Sequence, residues 1–223
     1  MDQRLGAAKT NHLDVNDFRV RSLRDQDIRR IAEDARARAG VASQTRFDIA
    51  RIIRRLTTTE VPNKGTLKIV NLRRGSRFPY VSYKPSLRLF VQEETLDLAS
   101  DGDPFSTYIL AHELGHILLH DQDAKRFSPT NEAQLKSIPE EESAEWQAHR
   151  FAHYFLLPDK WVTTFETVER IVENCNVQRE VAIKRVAEVG NSRMRECSQI
   201  CANCHNFMTF HKAGFLCVVC KHR

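Results

Sequence analysis

The spacing of apolar residues divides the chain into helical and extended stretches. Ile28, Ile31, Ala32, Ala35 and Ala39 recur at helical spacing, which predicts a helix over 25–39 stopped by Gly40. A second helix is predicted to start near Thr45, with Phe47, Ile49, Ile52, Ile53 and Leu56 on one face and Arg51, Arg54 and Arg55 on the other. After the turn Pro62-Asn63-Lys64-Gly65 the pattern becomes alternating and richer in β-branched and aromatic residues. Strands are expected at 67–71, 80–83 and 87–92, forming a small antiparallel sheet whose free edge offers N–H and C=O groups to an extended peptide. Asp103-Pro104 opens a helix through about residue 120, with Asp as N-cap and Pro at the first helical position. A further helix is predicted from 137 to 157, closed by Pro158, then two more over 159–174 and 178–189. Residues 1–24 read as a loosely structured extension.

Composition fits one medium domain with an appendage. The chain has 223 residues, of which 41% are hydrophobic and 28% charged, enough for a real core in a water-soluble protein. No apolar run approaches the ~18 residues of a membrane span, and residues 1–16 lack an apolar signal core. The expected compartment is the cytoplasm, with no membrane partner. Charge is uneven: residues 1–99 carry a net +8, residues 100–183 a net −8 and residues 184–223 a net +5. The basic tail admits a nucleic-acid or acidic partner, although such a bias is more often a solvated face.

The acidic middle contains His112-Glu113-Leu114-Gly115-His116. Residues four apart on a helix lie ~40° apart around its axis, so both imidazoles can share one metal ion. Glu113 lies ~100° further round, within reach of a water on that metal. A catalytic zinc needs a third protein ligand. The longer pattern with a third histidine is absent, since Leu119 stands where its glycine would be and Gln122 where its histidine would be. His120 shares the helical face but lies a turn beyond the metal, which suits a supporting role. A carboxylate on the next helix is therefore expected. Glu140, Glu141, Glu142 and Glu145 compete, and Glu145 lies deepest, among Ala144, Ala148, Phe151, Ala152 and Phe155. His149, four residues after Glu145, is placed to hydrogen-bond or orient a ligand. The tetrahedral oxyanion of peptide hydrolysis would find a donor among Tyr80, Tyr83, His149 and Tyr154.

The run His112 to His120, followed by Glu145-Trp146-Gln147-Ala148-His149-Arg150-Phe151-Ala152 and Leu156-Leu157-Pro158, resembles the ImmA/IrrE family of metallopeptidase-like proteins over about 25–190. The chain departs from the family pattern at His149, where Asn or Asp is usual, and at Leu157, where Met is usual. The resemblance implies an α+β fold, a mainly helical zincin-like metallopeptidase domain with a small sheet. It also implies that Glu145 is the third ligand of a catalytic zinc held with His112 and His116, and that Glu113 is the catalytic base. By the same resemblance the substrate is a protein, a helix-turn-helix transcriptional repressor whose cleavage relieves repression. The competing expectation is a non-catalytic metal-binding regulator that binds a repressor, a toxin or DNA.

Five of the six cysteines fall within 197–220. Cys201-Ala202-Asn203-Cys204 and Cys217-Val218-Val219-Cys220 form two Cys-x-x-Cys pairs, the four-thiolate arrangement of a structural zinc ribbon. The expected organisation is thus an extension over 1–24, a metallopeptidase-like domain over 25–190 and a four-cysteine zinc-ribbon module over 191–223. Two zinc ions are expected, one catalytic and one structural.

Overall fold

The computed structural model describes residues 17–73, 78–121, 138–165, 167–189, 208–211 and 214–217. Among these, the fold is mainly helical with a small mixed sheet, an α+β arrangement.

Helix α1 spans Asp25–Ala39 and ends where Gly40 adopts φ 76°, a left-handed conformation that glycine takes without a Cβ clash. Helix α2, Ile49–Arg55, starts later than expected. The Asp48 carboxylate accepts the Arg51 N–H at 2.9 Å, so Asp48 caps the helix in place of Thr45.

Strands β1 (Lys68–Asn71), β2 (Tyr80–Ser82) and β3 (Arg88–Val91) follow. The sheet is not antiparallel throughout. Its order is β1-β3-β2, with β1 parallel to β3 and β2 antiparallel to it. Alternation shows which side chains a strand buries, but it does not show which neighbour the strand takes. Here β3 buries Leu89 and Val91 and takes the centre. Among the described residues strand β2 is an edge strand, packed beside the helix Pro104–Leu119.

Helix α3, Glu93–Ser100, was not anticipated from the pattern. Helix α4, Pro104–Leu119, was: the Asp103 side chain accepts the Ser106 N–H at 2.7 Å, and His120 closes the helix. Residues 140–142 form a separate 3-10 turn, and the next helix, α5, is Ala144–Leu156. Ser143 breaks the expected continuous helix because its backbone is extended and its hydroxyl caps Trp146 N at 3.0 Å. The predicted 159–174 helix is likewise split into α6 (Asp159–Thr164) and α7 (Val168–Cys175), before α8 (Arg179–Val189).

Helix α5 is gripped on two sides, by α4 and by α1. Ile28, Ile49, Ile53, Leu89, Leu110, Ile117, Phe151 and Phe155 are fully buried in one core that joins helices and sheet. Residues 17–23 are not loose. They run antiparallel to 141–144, with Val20 N donating to Glu142 O at 2.8 Å, Leu23 N to Glu141 O at 3.0 Å and Ala144 N to Phe18 O at 3.1 Å.

Strands β4 (Met208–His211) and β5 (Gly214–Cys217) pair antiparallel, and β5 ends on Cys217, the first cysteine of the second Cys-x-x-Cys pair. Cys201, Cys204 and Cys220, three of the four expected ligands of the structural zinc, lie outside the described residues. No helix among the described residues is long and apolar enough to cross a membrane.

Candidate metal centre

Helix α4 is apolar on most of its surface and runs through the core, so its polar residues are enclosed. His112 and His116 project from it toward the first turn of α5, where Glu145 sits. The two Nε2 atoms stand 3.0 Å apart. Glu145 Oε2 lies 3.1 Å from His112 Nε2, and Oε1 lies 3.4 Å from His116 Nε2. Donor atoms bound ~2.0–2.1 Å from one tetrahedral ion stand roughly 3.3 Å apart, so these three fit a single cation. Two imidazole nitrogens and a carboxylate form a borderline donor set of the kind zinc takes. No other cluster of three such residues occurs among the described residues. Glu140, Glu141 and Glu142 stay on the 3-10 turn, outside the cluster.

The electrostatics prepare the cluster for a cation. Burial pushes the Glu145 carboxyl up, but the His112 and His116 imidazoles beside it together outweigh that and hold Glu145 well below the usual carboxylate range. Burial also lowers His116 below the ordinary imidazole value, so it stays neutral and keeps a lone pair. Glu113 behaves oppositely. It is buried, its Oε2 has no hydrogen-bond partner among the described residues, and burial followed by repulsion from Glu145 raises it well above the usual range.

The N-terminal segment completes the start of α5. Asp17 accepts the Ser143 hydroxyl at 2.7 Å and the Glu145 N–H at 3.1 Å, which anchors the residue carrying the carboxylate. The Phe18 ring stacks on His116 at 6.3 Å and meets His120 edge-on at 5.9 Å. Neither contact is legible in the sequence, because the segment is short and its partners are far away along the chain.

The other expected site residues separate. His149 lies against His112, ring centroids 4.4 Å apart, but its Nδ1 is bonded to the Tyr108 hydroxyl at 2.8 Å. His112 Nδ1 has no partner among the described residues, so no hydrogen bond from His149 orients it. Burial, then repulsion from His112, lowers His149 to about 3. His120 is buried at the end of α4, with Nδ1 3.1 Å from His116 Nδ1. Tyr83 donates its hydroxyl to the His116 carbonyl at 2.9 Å. Tyr154 donates its hydroxyl to Asp25, away from the cluster. Tyr80 is half exposed and stacks on Phe90 at 4.6 Å.

Tyr108 and Gln147 were missed, and both left a signal. Tyr108 precedes His112 by four residues and so shares the face of both histidines. Gln147 is a polar residue on the face of α5 that also carries Ala144 and Phe151, and it is fully buried.

Residues 102–187 match the family model of the IrrE N-terminal-like domain, Peptidase_M78. The match is to a metallopeptidase family. Its span contains α4 through most of α8, and therefore every residue of the His112, His116 and Glu145 cluster. Helix α1, the sheet and the cysteine-rich tail lie outside it. No curated protein and no solved structure matches the chain.

Proposed function

We propose that the protein is a cytoplasmic zinc-dependent endopeptidase. One observation carries this reading. His112 Nε2, His116 Nε2 and the Glu145 carboxylate converge within 3.0–3.4 Å beside a buried Glu113 with an unpartnered oxygen. His112, His116 and Glu145 are the residues that would hold the ion. Bound there, zinc supplies Lewis-acid polarisation of water and of the peptide carbonyl.

Glu113 does the proton work. Its carboxylate takes a proton from the attacking water as the new C–O bond forms. The same proton passes to the amine as the C–N bond breaks. A carboxyl raised by burial is better matched to this task near neutral pH than an exposed one. Glu145 stays ionised and keeps its oxygens as acceptors. Of the four candidates for stabilising the oxyanion, Tyr83 and Tyr154 have committed their hydroxyls elsewhere. Tyr80 and His149 remain, and of the two it is His149 that lies adjacent to His112, held by Tyr108. The edge of β2 that is unpaired among the described residues, beside α4, is the surface on which an extended substrate segment would add as a strand.

The substrate proposed is a helix-turn-helix repressor, on the strength of the ImmA/IrrE resemblance. A second, structural zinc on Cys201, Cys204, Cys217 and Cys220 belongs to the same reading, as a module contacting the repressor or nucleic acid. The test incubates the zinc-loaded full chain with the helix-turn-helix protein encoded nearest to it. A specific cut is expected, abolished by chelator and restored by zinc. Glu113→Gln should retain zinc and slow cleavage by ~10²–10⁴-fold, the range for a lost general base. Undiminished cleavage by that variant would sink the assignment of Glu113.

A further inference from the structure

We propose that His120 is a positioning residue that fixes the tautomer of His116, so that Nε2 of His116 is the nitrogen offered to the metal. This rests on the metal-centre reading above and adds a directed hydrogen-bond relay behind it.

The direction of the relay starts at Gln147, which is fully buried. Its Nε2 donates to Arg21 O at 2.8 Å and to Glu141 O at 2.6 Å. A backbone carbonyl only accepts, so both amide hydrogens are committed. The atom that Gln147 turns toward His120, 3.1 Å from His120 Nε2, is therefore the carbonyl oxygen Oε1. That oxygen has no hydrogen, and His120 Nε2 must donate to it. A neutral imidazole carries one N–H, which leaves His120 Nδ1 as an acceptor. It faces His116 Nδ1 at 3.1 Å, so His116 donates from Nδ1. The lone pair of His116 then resides on Nε2, the atom beside His112 Nε2 and Glu145 Oε1. Two backbone carbonyls thus dictate, through two side chains, which nitrogen of a ligand is free.

Metal-binding histidines usually donate their second N–H to a carboxylate, a backbone carbonyl or water. A neutral imidazole as that partner adds no negative charge to the ligand, so more of the ion's charge remains available to polarise a substrate. The relay is closed from water by the Phe18 ring over His116 and His120. It ends on Arg21 and Glu141, the two strands of backbone that pair at the mouth of α5. Docking of residues 17–23 therefore bears directly on the orientation of His116.

The test uses the full chain, labelled with 15N at histidine and loaded with zinc. Long-range 1H–15N spectra should show a proton on His116 Nδ1, a proton on His120 Nε2 and none on His120 Nδ1. Chelator titration is then followed at the His116 signals, so that zinc held elsewhere in the chain does not count. His120→Leu should weaken zinc at this site by ~10–100-fold, as loss of such a partner typically does. His120→Asn, whose amide oxygen can replace Nδ1 as acceptor, should recover part of that loss. A proton on His120 Nδ1 in the wild type overturns the proposal. So does unchanged zinc affinity in His120→Leu. A wild-type chain whose His112 and His116 signals ignore zinc overturns the metal-centre reading itself, and this proposal falls with it.

Discussion

Gly115 of α4 lies so close to Ala148 of α5 that a Cβ on Gly115 would stand 3.1 Å from both the Cα and the carbonyl oxygen of Ala148, and 3.2 Å from the Phe151 ring. The glycine lets the helix carrying His112 and His116 approach the helix carrying Glu145. In isolation, alanine in a helix is better than glycine by about 1 kcal/mol. Here the crowded atoms are mainly backbone, which cannot rotate away, so overpacking should outweigh propensity. Gly115→Ala is expected to lower Tm and weaken zinc binding, because α5 must shift and Glu145 shifts with it. Thermal melts with a zinc titration check this, and a variant as stable and as tight as wild type would contradict the close approach.

Lys64 supports the C-terminal end of the same helix. Its ammonium donates to the carbonyls of Ile117 at 2.6 Å, Leu118 at 3.1 Å and His120. These are carbonyls that a helix C-terminus leaves without partners, at the negative end of its dipole. Lys64→Met keeps much of the apolar stem and removes all three donations. Hydrogen bonds to a charged group contribute ~1.5–3 kcal/mol, so a loss of about 2–3 kcal/mol is expected in denaturant melts. A loss below about 0.5 kcal/mol would mean that water replaces the ammonium at those carbonyls.

These two contacts mark where the sequence was legible and where it was not. Helix α4 was readable because its signals are local: Asp103-Pro104 at the start and histidines four residues apart. Glu145 was reachable because it is on the buried side of a periodic helix. Gly115 was readable as a point of close approach, though not its partner Ala148. The antiparallel expectation for the sheet failed because strand order depends on pairings between segments, which alternation within one segment does not encode. The N-terminal segment was invisible because Phe18 and Val20 are too few to show a period, and their partners lie near Ser143. The Lys64 contact needs a turn and a helix end more than fifty residues apart. Assignments to Cys201, Cys204 and Cys220 fall outside the described residues altogether.

His153 gives the fold an acid-sensitive point. It is buried, its Nδ1 has no partner among the described residues, and burial, then repulsion from Lys184 and Arg150, lowers it to about 3. An unfolded imidazole titrates near ~6.5. Between those values the unfolded chain binds a proton that the folded chain refuses, so stability is full above about pH 6.5 and falls as pH drops toward 3. The slope is at most about 1.4 kcal/mol per pH unit for one such group. Urea melts of metal-free protein at neutral pH and at about one and a half units below ~6.5 measure the loss. His153→Phe should lose less than wild type over that interval, and equal losses would show that His153 is not a group that titrates on unfolding.

Removing the metal should leave the centre electrostatically unsatisfied. Glu113 and Glu145 repel each other in a buried site, and the neutral His116 beside them brings no positive charge to offset that repulsion. A ligand that binds only the folded state stabilises by about 4 kcal/mol at a thousand times its dissociation constant. For a chain of this size each kcal/mol moves Tm by ~2–4 °C, so chelation should lower Tm by on the order of 10 °C. Zinc bound by the cysteine-rich tail would add to any such shift, and a second variant separates the two. Glu145→Gln keeps the shape of the side chain but removes the charged ligand oxygen. Its melt should lose most of the chelator-dependent shift, whereas a shift equal to that of wild type would place the stabilising zinc somewhere other than His112, His116 and Glu145.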